Sequence, residues 1–209
     1  MGYGINFWAM RAWDETAGGG ATGKLRDERR RVFDEDEFLR CSAVQAADRI
    51  RRRPFAAPSD DEAIRRKYML PERYVLTLMT AETFGQELLL LDLMERGRLA
   101  VDLVICGRRS FYSDGLLRAA RRRRLALRTN FIYEYTPDEL GAFCRMADGM
   151  VYLPAGREHV QPVVEAVCAG TPVILSDTRR NRLAAGAAAR YVPCCEPEAL
   201  AEALDRMLR

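Results

Sequence analysis

The chain has little of what metal, disulfide and membrane sites need. It contains one histidine among 209 residues, which argues against a metal site, and we expect neither a metal nor another cofactor. Six cysteines include no CxxC pair, which is typical of reduced, mostly buried thiols in a cytosolic protein. No apolar run reaches the roughly eighteen residues of a spanning helix, and the N-terminus shows no secretion signal. These absences favour a cytoplasmic location.

The chain also lacks a large excess of charge of either sign. Its 33 basic and 30 acidic side chains leave a net charge of +3, which by itself does not predict binding to nucleic acid, and we expect none. Apolar residues make up 48% of the chain and charged residues 30%. This composition and length suit a globular protein with one α/β core.

From residue 71 onward, short apolar strands alternate with helical segments. Strands are predicted at residues 73–79, 101–106, 130–133, 149–153, 172–175 and 191–192. Helices are predicted at residues 84–97, 113–124, 162–169 and 197–208, and from Pro137 onward. Short connections between such elements require a parallel sheet covered by helices on both faces. The fold class is therefore α/β, a Rossmann-like doubly wound parallel sheet.

Several helix ends carry capping signals. Thr136 and Glu139 have the spacing of a capping box, and Gly97 is suited to end the helix that precedes it. Ser113 or Asp114 is the expected cap of the helix at 113–124.

The first 70 residues differ from the rest. They combine aromatics without periodicity, a glycine-rich loop, a highly charged stretch, a linker at 54–61 and a short helix at 60–68. We predict an atypical, mostly helical or irregular N-terminal extension over 1–70, followed by the Rossmann-like domain over 71–209.

The glycine-rich loop from Gly18 to Lys24, GGGATGK, fits the first seven positions of a P-loop. Leu25 stands where Ser or Thr would hold Mg²⁺, and the preceding segment is no buried strand. A flexible linker is the better interpretation, with a nucleoside triphosphate site as the alternative.

The most informative stretch is MVYLPAGREHVQPVVEAVCAGTPVILSD, residues 150–177. It predicts a strand, a loop, a helix that begins near Pro162 and ends at Gly170, and a second strand. A loop that leads from the carboxyl end of a strand into a helix presents free backbone N–H groups and the positive end of the helix dipole. The sequence therefore predicts an anion-binding cleft here.

This stretch resembles the nucleotide-sugar signature of group-1 glycosyltransferases of the GT-B fold. The matching segments are PVVEA, AGTPVI and SD, and the segments LPERYVL, LVICG and YVPCCEPEALAEALDRML fall in family order around them. The resemblance covers residues 71–209, the donor-binding half of that fold. It implies transfer of a hexosyl group from a nucleoside diphosphate sugar to an acceptor hydroxyl, without a metal. The acceptor site and catalytic base would belong to a further domain or partner protein.

The resemblance also assigns roles to residues of the cleft. Glu165 would bind the ribose hydroxyls, with a solvated or capping glutamate as the alternative. Glu158, one position from the family spacing, would contact the sugar, unless Arg157 has replaced it. The backbone of Gln161, Pro162 and Val163 would bind the diphosphate.

Three further side chains are candidates at this site. His159 is either a hydrogen-bond donor to phosphate or sugar, or fills the family's aromatic position. Arg108 supplies positive charge from a neighbouring loop or is a solvated arginine. Tyr133 stacks on the nucleotide base or closes the end of a strand.

Two departures from the family pattern favour a second hypothesis. The segment from Met79 to Gln86 contains neither lysine nor arginine where the family neutralises the diphosphate, and the glycines expected near Glu158 are absent. The alternative is a catalytically degenerate or truncated glycosyltransferase-like binding or partner subunit.

A dense basic run extends from Arg121 to Arg124. It could contact an anionic membrane surface and make the protein membrane-peripheral. A solvated helix face is the simpler interpretation, because Leu116, Leu117 and Leu125 are available to face the sheet.

Overall fold

The computed structural model describes residues 58–80, 83–154, 161–194 and 196–209, which belong to one compact unit. Its helices are α1 (Pro58–Tyr68), α2 (Phe84–Glu95), α3 (Phe111–Arg122), α4 (Pro137–Met146), α5 (Gln161–Cys168), α6 (Arg179–Ala185) and α7 (Pro197–Met207). Its strands are β1 (Tyr74–Met79), β2 (Asp102–Gly107), β3 (Thr129–Ile132), β4 (Gly149–Tyr152), β5 (Val173–Ser176) and β6 (Ala189–Val192).

The six strands form one parallel sheet in the order β3-β2-β1-β4-β5-β6. The predicted Rossmann-like, doubly wound class is confirmed. The central strands β1, β4 and β5 are buried along their whole length, which explains why they consist of near-continuous apolar residues.

Alternate residues of β1 pack on opposite faces of the sheet. Val75 joins an apolar cluster with Leu90 of α2 and Leu204 of α7. Leu76 joins a second cluster with Phe143 of α4 and residues of α5. The side-chain period of two along a strand therefore distributes the core between two helical layers.

Several predicted helix ends are confirmed. The Thr136 side chain accepts from the Glu139 N–H at 3.2 Å, and Glu139 Oε2 accepts from the Thr136 N–H at 2.7 Å. Gly97 and Gly170 follow α2 and α5 with φ angles of 70° and 78°. Glycine adopts this left-handed conformation at little cost, so both positions end their helices.

Two expectations about element boundaries were wrong, and one helix was not predicted. The cap of α3 is Ser110 instead of Ser113 or Asp114, because Ser110 and Ser113 form a reciprocal capping box and Ser113 occupies its third helical position. Helix α1 begins at Pro58, inside the predicted linker, since proline suits a first helical turn. Helix α6, capped by Thr178, was not predicted.

The cysteines are less buried than expected. Cys106 and Cys144 are buried, but Cys168 and Cys194 are exposed, since Cys168 ends α5 and Cys194 follows β6. Cys106, Cys144 and Cys168 are free thiols. The other two cysteines, at 41 and 195, lie outside the described residues.

Helix α1 packs on α4, although it falls within the predicted N-terminal extension. The rings of Tyr68 and Phe143 meet edge to face with centroids 5.0 Å apart. Lys67 Nζ lies 2.6 Å from Glu139 Oε1, and Arg145 forms a two-pronged ion pair with Asp61. The last part of the extension is therefore attached to the sheet domain through side chains.

Candidate functional site

The strand order creates a crevice between the carboxyl ends of β1 and β4. The chain leaves β1 toward β2 on one side and leaves β4 toward β5 on the other. At such a switch point the two connections diverge and leave an open groove, where α/β proteins bind their ligands. Of the two connections that border it, the structure describes Thr80 and Thr83 after β1 and Leu153 and Pro154 after β4.

The start of the second connection is fixed from the α2 side by Gln86. Gln86 Nε2 donates to the carbonyl oxygen of Val151 at 3.3 Å, and Gln86 Oε1 accepts the N–H of Leu153. The Gln86 side chain is buried. It therefore links the first turn of α2 to the end of β4.

The same connection is fixed from the β5 side. Ser176 Oγ donates to the carbonyl oxygen of Pro154 at 3.0 Å, and Asn181 Nδ2 lies 2.9 Å from Ser176 Oγ. Both polar side chains are buried. Side chains on two neighbouring elements thus hold the base of the loop.

Beneath the crevice lies a buried polar cluster of Thr77, Thr83, Gln86 and Glu87. Glu87 Oε1 lies 3.3 Å from Thr77 Oγ1, while Oε2 has no hydrogen-bond partner among the described residues. Burial raises the pKa of the Glu87 carboxyl to about 8, because desolvation disfavours its charged form. Glu87 is therefore mainly neutral at pH 7.

The first turns of α5 bring together four of the predicted site residues. Gln161 is exposed, Pro162 is half-buried and Val163 is fully buried. Glu165 is half-buried, and its Oε1 accepts from Gln161 Nε2 at 2.9 Å. Glu158 and His159 lie outside the described residues.

Glu165 also lies close enough to α4 to influence Cys144. The pKa of the Cys144 thiol is raised to about 12, first by burial and then by the negative charge of Glu165. The carboxylate therefore belongs to the side of α5 that neighbours α4.

The two remaining candidates follow other strands. Arg108 is exposed directly after β2, the neighbour of β1. Tyr133 follows the edge strand β3, packs against the core and stacks on Phe131 with ring centroids 6.3 Å apart. Both lie at the carboxyl edge of the sheet, but the structure does not group them with the α5 residues.

The basic run lies at the end of α3. Arg121, Arg122 and Arg124 are exposed, while Arg123 Nε lies 3.1 Å from Glu95 Oε2. Leu116 is buried against the sheet. The arginines therefore form the solvent face of an amphipathic segment.

Sequence reasoning missed Gln86, Ser176 and Asn181 as residues that shape the site. Their role depends on contacts between elements that are distant in sequence, such as the 67 positions between Gln86 and Leu153. The one local signal was the pair of polar residues Gln86 and Glu87 directly before four consecutive leucines in α2.

Two kinds of site are absent from the described part of the chain. It contains no group of three histidine, cysteine, aspartate or glutamate side chains that could hold a metal ion. Its helices include none that is long and apolar enough to cross a membrane.

The sheet order and the crevice define a doubly wound α/β domain of the nucleotide-binding type. The sequence model of the family glycosyl transferases group 1 matches residues 75–209. The chain therefore belongs to the group-1 glycosyltransferases. No curated protein matches it in sequence.

Solved structures with the same fold include Anabaena Alr3699/HepE in complex with UDP and glucose, with a TM-score of 0.61 and 18% identity over 74% of this chain. WaaG, a glycosyltransferase of lipopolysaccharide biosynthesis, has a TM-score of 0.57 and 17% identity over 72%. A UDP-forming α,α-trehalose-phosphate synthase from Burkholderia vietnamiensis has a TM-score of 0.58 and 19% identity over 83%. The chain covers only 44%, 42% and 42% of these proteins. At these identities the likeness shows the fold.

Proposed function

We propose that this chain binds a nucleoside diphosphate sugar at the crevice between β1 and β4 and acts as the donor-binding half of a glycosyltransferase. The observation that carries the proposal is the switch point between β1 and β4, together with Glu165 on α5, the helix that follows β4 in the chain. The family membership and the UDP and UDP-glucose complexes of Anabaena HepE support it.

Each candidate residue has a defined task in this proposal. The Glu165 carboxylate accepts hydrogen bonds from the two ribose hydroxyls, in exchange for its bond to Gln161. The first backbone N–H groups of α5, at Gln161 and Val163, bind the diphosphate, which the helix dipole also favours. Pro162 lacks an N–H group and fixes the first turn of the helix.

The remaining candidates would contact the sugar, the phosphates and the base. Glu158 and His159 contact the sugar from the loop before α5. Arg108 neutralises phosphate charge from the loop after β2, where its side chain is exposed. Tyr133 stacks on the nucleotide base.

The proposed reaction transfers a hexosyl group to an acceptor hydroxyl and releases the nucleoside diphosphate. The bond between the anomeric carbon and the diphosphate oxygen breaks, a bond to the acceptor oxygen forms, and the proton of the acceptor hydroxyl passes to the leaving diphosphate or to water. Because the chain spans less than half of the similar structures, the acceptor would bind to another domain or partner protein.

A catalytically degenerate binding subunit is the second candidate. The sequence before the first turn of α2 has no lysine or arginine between residues 79 and 86. The buried polar side chains described there are the hydroxyls of Thr77 and Thr83, the amide of Gln86 and the carboxyl of Glu87. Transfer needs positive charge to stabilise the leaving diphosphate. Such a subunit would bind the nucleotide sugar without releasing UDP.

Release of UDP from UDP-glucose separates the two candidates. The chain is incubated with UDP-glucose and a panel of simple acceptor alcohols, and UDP is measured by a coupled assay. Release that requires acceptor and disappears in Glu165→Ala supports the enzyme. UDP-glucose binding by calorimetry without release, also when an extract of the source cells supplies a partner protein with the acceptor site, supports the binding subunit.

The exposed arginines at the end of α3 suit contact with an anionic membrane surface. Arg121, Arg122 and Arg124 are exposed, and no acidic side chain of the described residues pairs with them. Each arginine near an anionic bilayer contributes about 1 kcal/mol of binding. The proposed location is therefore cytoplasmic and membrane-peripheral.

A further inference from the structure

The side-chain amide of Gln86 lies where β1 and β4 separate. The backbone register between the two strands ends at the pair Thr77 and Val151. One step further, Gln86 Nε2 donates to the Val151 carbonyl and Gln86 Oε1 accepts the Leu153 N–H. A carbonyl and the N–H two residues later are the groups that a parallel neighbouring strand would bind. Gln86 therefore makes the two hydrogen bonds to β4 that a further residue of β1 would otherwise make.

The orientation of this amide is fixed by its surroundings. Gln86 is only 3% exposed, and Nε2 also contacts Thr77 Oγ1 and lies 3.2 Å from Glu87 Oε1. These acceptors hold the NH₂ group toward Val151 and leave the oxygen toward Leu153. A side chain without both a donor and an acceptor would leave two buried backbone groups without partners.

The contact sets the direction in which the chain leaves β4. Leu153 is the first residue after the strand, and the loop to α5 follows it. Gln86 belongs to the first turn of α2, which follows the connection from β1. One side chain therefore joins the two connections that border the crevice.

We propose that Gln86 is a positioning residue for the nucleotide-sugar site. It holds Val151 and Leu153, at the end of β4, in place against α2, so that this edge of the site is in position before the ligand binds. This inference rests on the proposed function, because it concerns the affinity of the same site. A preorganised site binds more tightly, since less conformational entropy is lost on binding.

The test compares Gln86→Met with the wild-type chain by two measurements. Hydrogen exchange reports the Leu153 amide, with the Met150 amide, bonded to the Pro172 carbonyl at 2.8 Å, as an internal reference. Calorimetry reports the affinity for UDP. We expect the protection of Leu153 relative to Met150 and the affinity for UDP each to fall about tenfold.

Asn130→Ala is the matched control variant. Asn130 lies on the edge strand β3, and its Nδ2 donates to the carbonyl oxygens of Tyr68 and Met69 at 2.9 and 3.2 Å. Replacing Asn130 by alanine removes these two side-chain hydrogen bonds to the backbone, at a position away from the crevice. We expect lower stability, with unchanged UDP affinity and unchanged relative protection of Leu153.

Gln86→Glu tests whether the donor and the acceptor of the side chain, and not its bulk alone, set the affinity for UDP. At about pH 5 a buried carboxyl is protonated and offers one donor and one acceptor, as the amide does. We expect UDP affinity close to that of the wild type at this pH, and a loss at about pH 9, each compared with the wild type at the same pH.

Equal UDP affinity in Gln86→Met and Asn130→Ala would overturn the inference. Failure of the wild-type chain to bind UDP, GDP or ADP would instead refute the proposed function, and the positioning role at that site with it. The exchange data distinguish the cases, because they report the Gln86 contact without a ligand.

Discussion

Ser176 Oγ donates a hydrogen bond of 3.0 Å to the carbonyl oxygen of Pro154, which joins the end of β5 to the loop that leaves β4. Asn181 Nδ2 lies 2.9 Å from both the Ser176 hydroxyl oxygen and the Ser176 carbonyl oxygen. The first turn of α6 therefore orients the hydroxyl that holds the loop. Together with the bond from the Leu153 N–H to Gln86 Oε1, this contact fixes the two residues that follow β4, Leu153 and Pro154.

Ser176→Ala is expected to lower the free energy of unfolding by about 1–3 kcal/mol, because it leaves the Pro154 carbonyl without its partner. Asn181→Ala should cost a similar amount. Both changes disrupt one network, so the double variant should lose less than the sum of the two. Urea unfolding of the three variants measures this coupling, and strictly additive losses would show that Asn181 does not act through Ser176.

Glu87 gives the chain a pH-dependent stability. Its pKa is about 8 in the folded state because of burial, against 4.5 for an unperturbed carboxyl. Between these values the folded state binds one proton more than the unfolded state, so the free energy of unfolding falls as the pH rises. The loss is about 1.4 kcal/mol per pH unit. The contribution of the neutral Glu87 carboxyl to the free energy of unfolding is fully present below pH 4.5 and is lost as the pH rises to about 8.

Glu87→Gln should remove this dependence, because the amide does not titrate. Unfolding by urea at several pH values between 4.5 and 8 provides the measurement, with the exposed Glu202→Gln as the control. The free energy of unfolding should decline more steeply with pH in the wild type and in Glu202→Gln than in Glu87→Gln. Parallel pH profiles for all three chains would mean that Glu87 is ionised in the folded state.

Much of the fold could be predicted because its signals are local. The alternation of apolar strands with helices gave the parallel sheet, and the spacing of Thr136 and Glu139 gave a helix start. The expected cap of α3, Ser113 or Asp114, was wrong because Ser110, three positions before Ser113, is an equally good cap and forms the capping box. Helix α6 was missed because RRNRLAA has few apolar residues, and its start depends on the Thr178 cap.

The candidate site could be predicted only in part, for a related reason. The approach of the β4–α5 connection to α2 follows from strand order, which a linear pattern does not contain. Gln86 therefore looked like one polar residue in a segment that lacks cations. Its burial and its two backbone contacts arise only when β1 and β4 are neighbours.

The attachment of α1 to α4 makes a prediction about the N-terminal extension. Arg145 Nε donates to Asp61 Oδ2 at 3.1 Å, and both side chains are only 20% exposed. Asp61→Asn should reduce stability by about 1–2 kcal/mol, because it removes the charged partner of a two-pronged ion pair with the half-buried Arg145 guanidinium.

The neighbouring Glu62→Gln is the control, since the Glu62 side chain is 65% exposed and lies 4.0 Å from Arg65. Its effect should stay within about 0.5 kcal/mol. Thermal unfolding of both variants checks the prediction. Equal stability of the two would contradict the structural contribution of the Asp61 pair.

The proposed membrane contact predicts binding to anionic vesicles. Replacement of Arg121, Arg122 and Arg124 by serine should weaken cosedimentation with phosphatidylglycerol vesicles roughly a hundredfold, at about 1 kcal/mol per arginine. Serine at Arg96, Arg98 and Arg206 removes the same charge from ion-paired positions and serves as the control. Identical binding of the two triple variants would show that only net charge matters.

The central claim is that the segment from β4 to α5 binds a nucleoside diphosphate sugar through Glu165. Calorimetric titration with UDP-, GDP- and ADP-sugars tests it, with Glu165→Ala and Glu202→Ala compared. The two variants are matched, since Glu202 also pairs with a side chain four positions away, Arg206. We predict saturable binding of one of these sugars by the wild type and by Glu202→Ala, with at least about a tenfold loss in Glu165→Ala. Binding to none of them, or equal binding by both variants, would contradict the account.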